Sequence, residues 1–195
     1  MLDFIGAATT LQTSKWGSIR VESARLSPAP DGDLVAAFGS PYESERPIVR
    51  IHSECLFSEV FGDESCDCGT QLEMALKILV DSKVGLLFYL RSDGRDVGLA
   101  AKIRAHELEL SGMDTYESHV ALGLPPDSRS YERVGSFLSA KGVRNIQLLT
   151  NNPRKIRDVE KCGISVSPRT LTVECNSEPI RRLYETKRQK FGHAI

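Results

Sequence analysis

The sequence predicts an α/β (α+β) fold: a mixed sheet with antiparallel N-terminal strands and flanking helices. Three observations carry this. Two short strand-like segments, 16–26 and 34–38, are separated by the turn-forming run Ser27-Pro28-Ala29-Pro30-Asp31-Gly32-Asp33. From residue 47 onward, strand-like and helix-like segments alternate. The run Val84-Gly85-Leu86-Leu87-Phe88-Tyr89-Leu90 is apolar throughout, as expected of a strand covered on both faces.

Taken in order, residues 47–52 read as a third strand. After Cys68 the period changes: Leu72, Ala75, Leu76, Leu79 and Val80 recur at helical spacing, and Thr70 with Glu73 has the form of a capping box. The strand at 84–90 is followed by the polar loop Arg91-Ser92-Asp93-Gly94-Arg95-Asp96 and a helix over 97–110. Residues 118–127, with Pro125 and Pro126, read as irregular, and 130–140 as a helix. Residues 145–150 form a strand; Asn152-Pro153 then supplies an N-cap and a proline in the first helical turn. A short strand and a charged helix over 178–190 complete the pattern. A single domain over 1–195 is expected, with 1–12 as a flexible N-terminal segment.

With 41% hydrophobic and 26% charged residues, the 195-residue chain can bury a core without disulfides. A net charge of −1 argues against a global basic field for nucleic acid. The apolar run at 84–90 is too short to span a membrane, and the N-terminus lacks the pattern of a secretory signal. Five cysteines, an odd number, include a Cys-x-Cys pair that suits a metal better than a disulfide frame. A cytoplasmic protein is expected.

The chemistry concentrates at residues 50–71. Cys55, Cys66 and Cys68 offer three thiolates to one soft cation, and three protein ligands around zinc leave a fourth position open for catalysis. A structural site, or merely buried thiols, is the plain alternative. His52 lies three residues before Cys55 and, on a regular strand, faces the other way, which makes it a poor fourth ligand. Cys162 and Cys175 lack metal spacing and read as packing residues. Asp93, Gly94 and Arg95 sit at a strand's carboxyl end, where open α/β sheets bind ligands; the plain alternative is a solvated loop with Asp96 as helix cap. Lys155, in the first turn of a helix, opposes the helix dipole and so points to an anion, although an exposed lysine fits equally. Asp127 beside Arg129 reads by default as another helix cap.

Together these segments resemble GTP cyclohydrolase II, from about Thr13 to the C-terminus. The marks are Arg50-Ile51-His52-Ser53-Glu54-Cys55, Phe61-Gly62-Asp63, Cys66-Asp67-Cys68-Gly69 and Gln71. Further on come Gly94-Arg95, Asp114-Thr115, Leu122-Gly123, Asp127 with Arg129, Leu149-Thr150-Asn151-Asn152-Pro153, and the ending Thr186-Lys187 to Gly192-His193. The resemblance implies one catalytic zinc on Cys55, Cys66 and Cys68. It implies a GTP site of Arg50, Ile51, His52, Ser53, Glu54, Gln71, Asp93, Gly94, Arg95, Thr115, Thr150 and Lys155, with Mg2+ on the triphosphate. Asp127 matches a proton acceptor and Arg129 a nucleophile toward the α-phosphorus, although a guanidinium that stays protonated serves equally to stabilise phosphoryl charge. A homodimer in the stand-alone form is also implied, with no nucleic acid or membrane partner. The implied reaction opens the guanine imidazole ring at C8 with loss of formate and pyrophosphate.

Two departures stand out. The family's Arg-Gln-Glu-Gly-Arg-Gly loop is Arg91-Ser92-Asp93-Gly94-Arg95-Asp96 here, and the tyrosine expected in the next helix is His106, which takes that catalytic position. Imidazole donates a proton with a different reach and a pKa near neutrality. An enzyme that stops at the formylated, ring-opened product is therefore one alternative, and a non-catalytic GTP-binding homologue another.

Overall fold

The structure is a computed structural model that describes residues 5–29, 32–173 and 177–194. Cys175 lies outside the described residues. Seven strands form one mixed sheet: β1 (Ala8–Thr13), β2 (Gly17–Ala24), β3 (Asp33–Phe38), β4 (Ile48–Ser53), β5 (Gly85–Leu90), β6 (Asn145–Leu149) and β7 (Ser165–Arg169). Their order is β1-β2-β3-β5-β4-β6-β7. The β1-β2-β3-β5 half is antiparallel and the β5-β4-β6-β7 half parallel. Residues 8–13, within and just beyond the N-terminal segment that the sequence sets apart as flexible, pair with β2 along their whole length.

Among the described residues seven α-helices flank the sheet: α1 (Leu56–Phe61), α2 (Cys68–Ser82), α3 (Leu99–Leu110), α4 (Thr115–Ala121), α5 (Glu132–Ala140), α6 (Pro153–Glu160) and α7 (Glu178–Phe191). On one face of the sheet, α2 packs Leu72, Leu76 and Leu79 against Ile19, Val21, Phe38 and Leu87. On the other, Tyr131, Val134 and Leu138 near or on α5 and Val159 on α6 cover Val49, Ile51, Leu86 and Phe88. The buried strand β5 is thus covered on both sides, which its unbroken apolar run requires.

Three local readings are corrected, and one helix is added where none was assigned. Helix α1 occupies part of the stretch between the first two cysteines. α4 forms where an irregular segment was expected, because Asp114 and Glu117 build a reciprocal capping box. At α2 the N-cap is Asp67 with no side-chain cap bond, and Glu73 pairs instead with Lys15, so Thr70 and Glu73 make no box. Asp96 does not cap α3, whose N-cap is Gly98; Gly94, Arg95 and Asp96 all have positive φ, and the loop turns back on itself before the helix starts. At α6, Asn152 accepts from the Arg154 N–H as predicted, with Pro153 at the start. No described helix is long and apolar enough to cross a membrane.

The parallel strands β4, β5 and β6 all end at the same edge. The loops that follow them, starting at residues 54, 91 and 150, therefore converge, as ligand-binding loops do in open α/β sheets.

Candidate active site and metal centre

A cavity of about 640 Å³ opens at this edge. Its wall includes Arg50, His52, Ser53, Glu54, Gln71, Asp93, Gly94, Arg95, Thr115, Thr150 and Lys155, together with the three cysteines, His106 and Arg129. Two residues from the sequence-based set stand elsewhere. The Ile51 side chain is fully buried in the core, and only its carbonyl reaches a site residue, accepting from Lys155 Nζ at 2.9 Å. Asp127 lies behind the wall, held by Arg129.

The Sγ atoms of Cys55, Cys66 and Cys68 all lie within 4.8 Å of one another, with Cys55 and Cys66 at 3.6 Å. Tetrahedral zinc with Zn–S bonds of about 2.3 Å sets its sulfurs about 3.8 Å apart, so the cluster fits such an ion. Among the described residues no fourth His, Cys, Asp or Glu joins the group. Hydrogen bonds from Cys66 and Cys68 hold the Cys55 thiol well below its usual range, whereas the Cys55 thiolate pushes Cys66 up to about 11 and also raises Cys68. Three such sulfurs ionise together only around a cation.

Local chain geometry explains the cluster. Cys55 is the N-cap of α1 and Cys68 the first residue of α2, so two helix starts face each other. Glu59 on α1 accepts from the Cys55 N–H and from the Tyr89 hydroxyl (2.6 Å), and its Oε1 lies 2.8 Å from His52 Nε2. His52 is thereby engaged with Glu59 and stands outside the sulfur group, and burial, the largest effect, lowers its pKa. Lys102 on α3 donates to Cys55 Sγ at 3.2 Å and to Asp93 Oδ1 at 2.6 Å.

The same cavity gathers the buried Arg50 and Lys155 and the half-buried Arg95 and Arg129. Lys155 is 7% and Arg50 5% exposed, which excludes an exposed lysine at this position. Arg50 donates to the Leu149 carbonyl at 3.0 Å and to Gln71 Oε1 at 2.8 Å. Burial first, then Arg50 and Arg129, push the Lys155 pKa far down. Arg129 donates from Nε and Nη2 to the two oxygens of Asp127, at 2.9 and 2.6 Å. Burial alone would raise the Asp127 pKa, but this fork overcomes it and holds the carboxyl well below the usual range. Asp127 caps no helix; the N-cap of α5 is Tyr131. Asp127 makes its side-chain fork with Arg129 alone; Glu109 acts on Arg95 and Asp67 on Arg50 only through space, so the four basic side chains gathered here leave room for an anion.

His106 stands in the wall with its ring edge-on to Phe57, centroids 5.3 Å apart. Thr115 begins α4, and the Thr150 hydroxyl accepts from the Asn152 N–H at 3.0 Å.

Sequence reasoning assigned no role to Lys102, Glu59, Asp67 or α7. Lys102 lies one turn before His106 on the same helical face, a signal that was available. Asp67 is 1% exposed and bonds Gln71, Tyr184 and Lys187; nothing local distinguishes it from a solvated residue between two ligands. Helix α7 lays Pro179, Arg182, Leu183, Thr186 and Lys187 along the cavity.

The sequence profile of GTP cyclohydrolase II matches residues 6–171. The GTP cyclohydrolase-2 of Neisseria meningitidis is 46% identical over 149 residues, 76% of this chain and 75% of the relative. That of Psychromonas ingrahamii is 42% identical over 163 residues, 83% and 81% of the two chains. The riboflavin biosynthesis protein RibBA of Bacillus subtilis is 44% identical over 155 residues, and the chain spans 39% of that relative's length.

Proposed function

The chain belongs to the GTP cyclohydrolase II family, and from that premise we propose that it is a zinc-dependent GTP cyclohydrolase II. It converts GTP into formate, pyrophosphate and 2,5-diamino-6-ribosylamino-4(3H)-pyrimidinone 5′-phosphate, with one water consumed at each bond cut: C8–N9, the formamide C–N and the α–β phosphoanhydride. The observation that carries this reading is one cavity lined both by three clustered thiols and by the basic side chains of Arg50, Arg95, Arg129 and Lys155. The first suits a metal that polarises water and the second suits a triphosphate.

Cys55, Cys66 and Cys68 would hold the zinc, which supplies Lewis acidity toward the purine C8. Lys102 neutralises part of the thiolate charge through Cys55. Arg50, Arg95, Arg129 and Lys155 bind the triphosphate, accompanied by Mg2+. Arg129, kept protonated by Asp127, stabilises charge on the α-phosphoryl group as pyrophosphate leaves. Asp127 acts through Arg129 as a positioning residue. His52, Ser53, Glu54, Gln71, Asp93, Gly94, Thr115 and Thr150 complete the nucleotide cradle, and His106 relays a proton between the attacking water and the leaving ring nitrogen. The same reading places the enzyme in a reducing cytoplasm, where the thiols stay available to metal. It also makes the enzyme a homodimer, in which exposed Phe61, Ile103, Leu110 and Val120 would be covered.

The test is to incubate zinc-loaded protein with GTP and Mg2+ and to quantify pyrophosphate, formate and the pyrimidine separately. Equal yields of all three, abolished by chelation, are expected. Intact GTP would overturn the reading, and a formylated product without formate would replace it with the truncated reaction.

A further inference from the structure

Helix α7 lies beyond the part of the chain that the family profile matches, yet it closes the cavity. Four contacts pin it down. Lys187 Nζ is 3.1 Å from Asp67, between two of the clustered cysteines. Lys190 pairs with Asp114 and Glu117 at the start of α4. The Arg95 guanidinium stacks 4.5 Å from the Phe191 ring. Past the helix, the Ala194 N–H donates to the Asn151 carbonyl at 2.9 Å.

Between the last two contacts stands His193. Gly192 ends α7 in the left-handed conformation, φ 68°, and turns the chain so that the His193 N–H donates to the Lys187 carbonyl at 3.1 Å. The backbone is thus held from both sides, and the imidazole lines the cavity. Burial first, then Lys187, Lys155, Arg129 and Arg95, lower its pKa to about 3, so three of the four cations that act on it belong to the proposed phosphate site. A neutral imidazole offers one N–H donor. It adds a hydrogen bond for an anion without adding one more positive charge to a crowded cluster.

We infer that His193 is a phosphate-contacting residue of this site, donating its imidazole N–H to the polyphosphate of the nucleotide, and that α7 is the strap that carries it there. The inference rests on the GTP reading for its substrate and on cavity geometry for its place. The backbone bonds and Gly192 turn are independent of the imidazole, so a side-chain substitution leaves the strap anchored.

The test uses the full zinc-loaded chain and inorganic tripolyphosphate, titrated by calorimetry, with guanosine as the phosphate-free control. His193→Ala should weaken tripolyphosphate binding roughly tenfold, the size expected for one hydrogen bond to a charged group. Guanosine affinity should not change, and His193→Gln, which restores an N–H donor, should recover most of the loss. Tripolyphosphate binding within twofold of wild type, no binding by wild type, or an equal loss for guanosine would each overturn the inference. GTP turnover of the wild type, measured separately, keeps the two readings apart. His193-dependent anion binding without turnover sinks only the cyclohydrolase reading, and turnover without that dependence sinks only this one.

Discussion

Lys187 on α7 and Asp67 between two of the clustered cysteines form an ion pair 120 residues apart in the chain, with the Asp67 side chain wholly buried. Asp67 also accepts from Tyr184 and Gln71, so a single carboxylate ties the C-terminal helix, the cysteine cluster and Gln71 in the cavity wall together. Lys187→Met would leave that carboxylate buried with only neutral donors. A loss of about 3 kcal/mol is expected, together with faster zinc release. Urea unfolding and the rate of zinc transfer to a chromophoric chelator measure both.

Arg129 and Asp127 are expected to behave as a unit. Arg129→Lys removes the fork and should lower kcat by roughly 10²–10³ with little change in KM, because the guanidinium acts where charge develops. The folded-state pKa of Asp127 is depressed, so its contribution to stability is complete above its unfolded value of about 3.9 and fades as pH falls from there toward the folded value. In Asp127→Asn this acid-side decline should flatten, as read from urea midpoints between pH 2 and 5.

Lys155 is buried beside two guanidinium groups, a placement that opposes folding in the absence of a ligand. Lys155→Met should therefore raise the melting temperature of the ligand-free protein while raising KM for GTP at least tenfold. A variant that loses both stability and affinity would show that Lys155 is instead structural. This is the trade expected of a site strained for its ligand.

Asp96 has φ 69° directly after Arg95 at φ 60°, two consecutive non-glycine residues in the left-handed region. The loop's resemblance to the family places a glycine there. Asp96→Gly should relieve strain and stabilise by up to about 1 kcal/mol, visible as a shifted denaturant midpoint at unchanged slope.

Much of the site was legible along the chain. The Cys55, Cys66 and Cys68 spacing, the apolar run of β5 and the Asn152-Pro153 helix start depend on neighbours a few residues away, and local periodicity and cap chemistry encode those directly. Helix α4 was missed although Asp114 and Glu117 spell its capping box, a local signal masked by the prolines that follow.

By itself, the sequence determined the alternation of strands and helices, the spacing of the three cysteines that cluster and the order of the loops that meet at one sheet edge. Only the tertiary structure decided which charges are buried and what faces them: that Lys155 is inside, that Asp127 is spent on Arg129, and that α7 returns to lock Asp67 and aim His193. The physical reason is range. Helix and strand preferences are set within a turn or two, whereas the burial of a charge depends on a partner brought from far along the chain, and no local pattern specifies that partner.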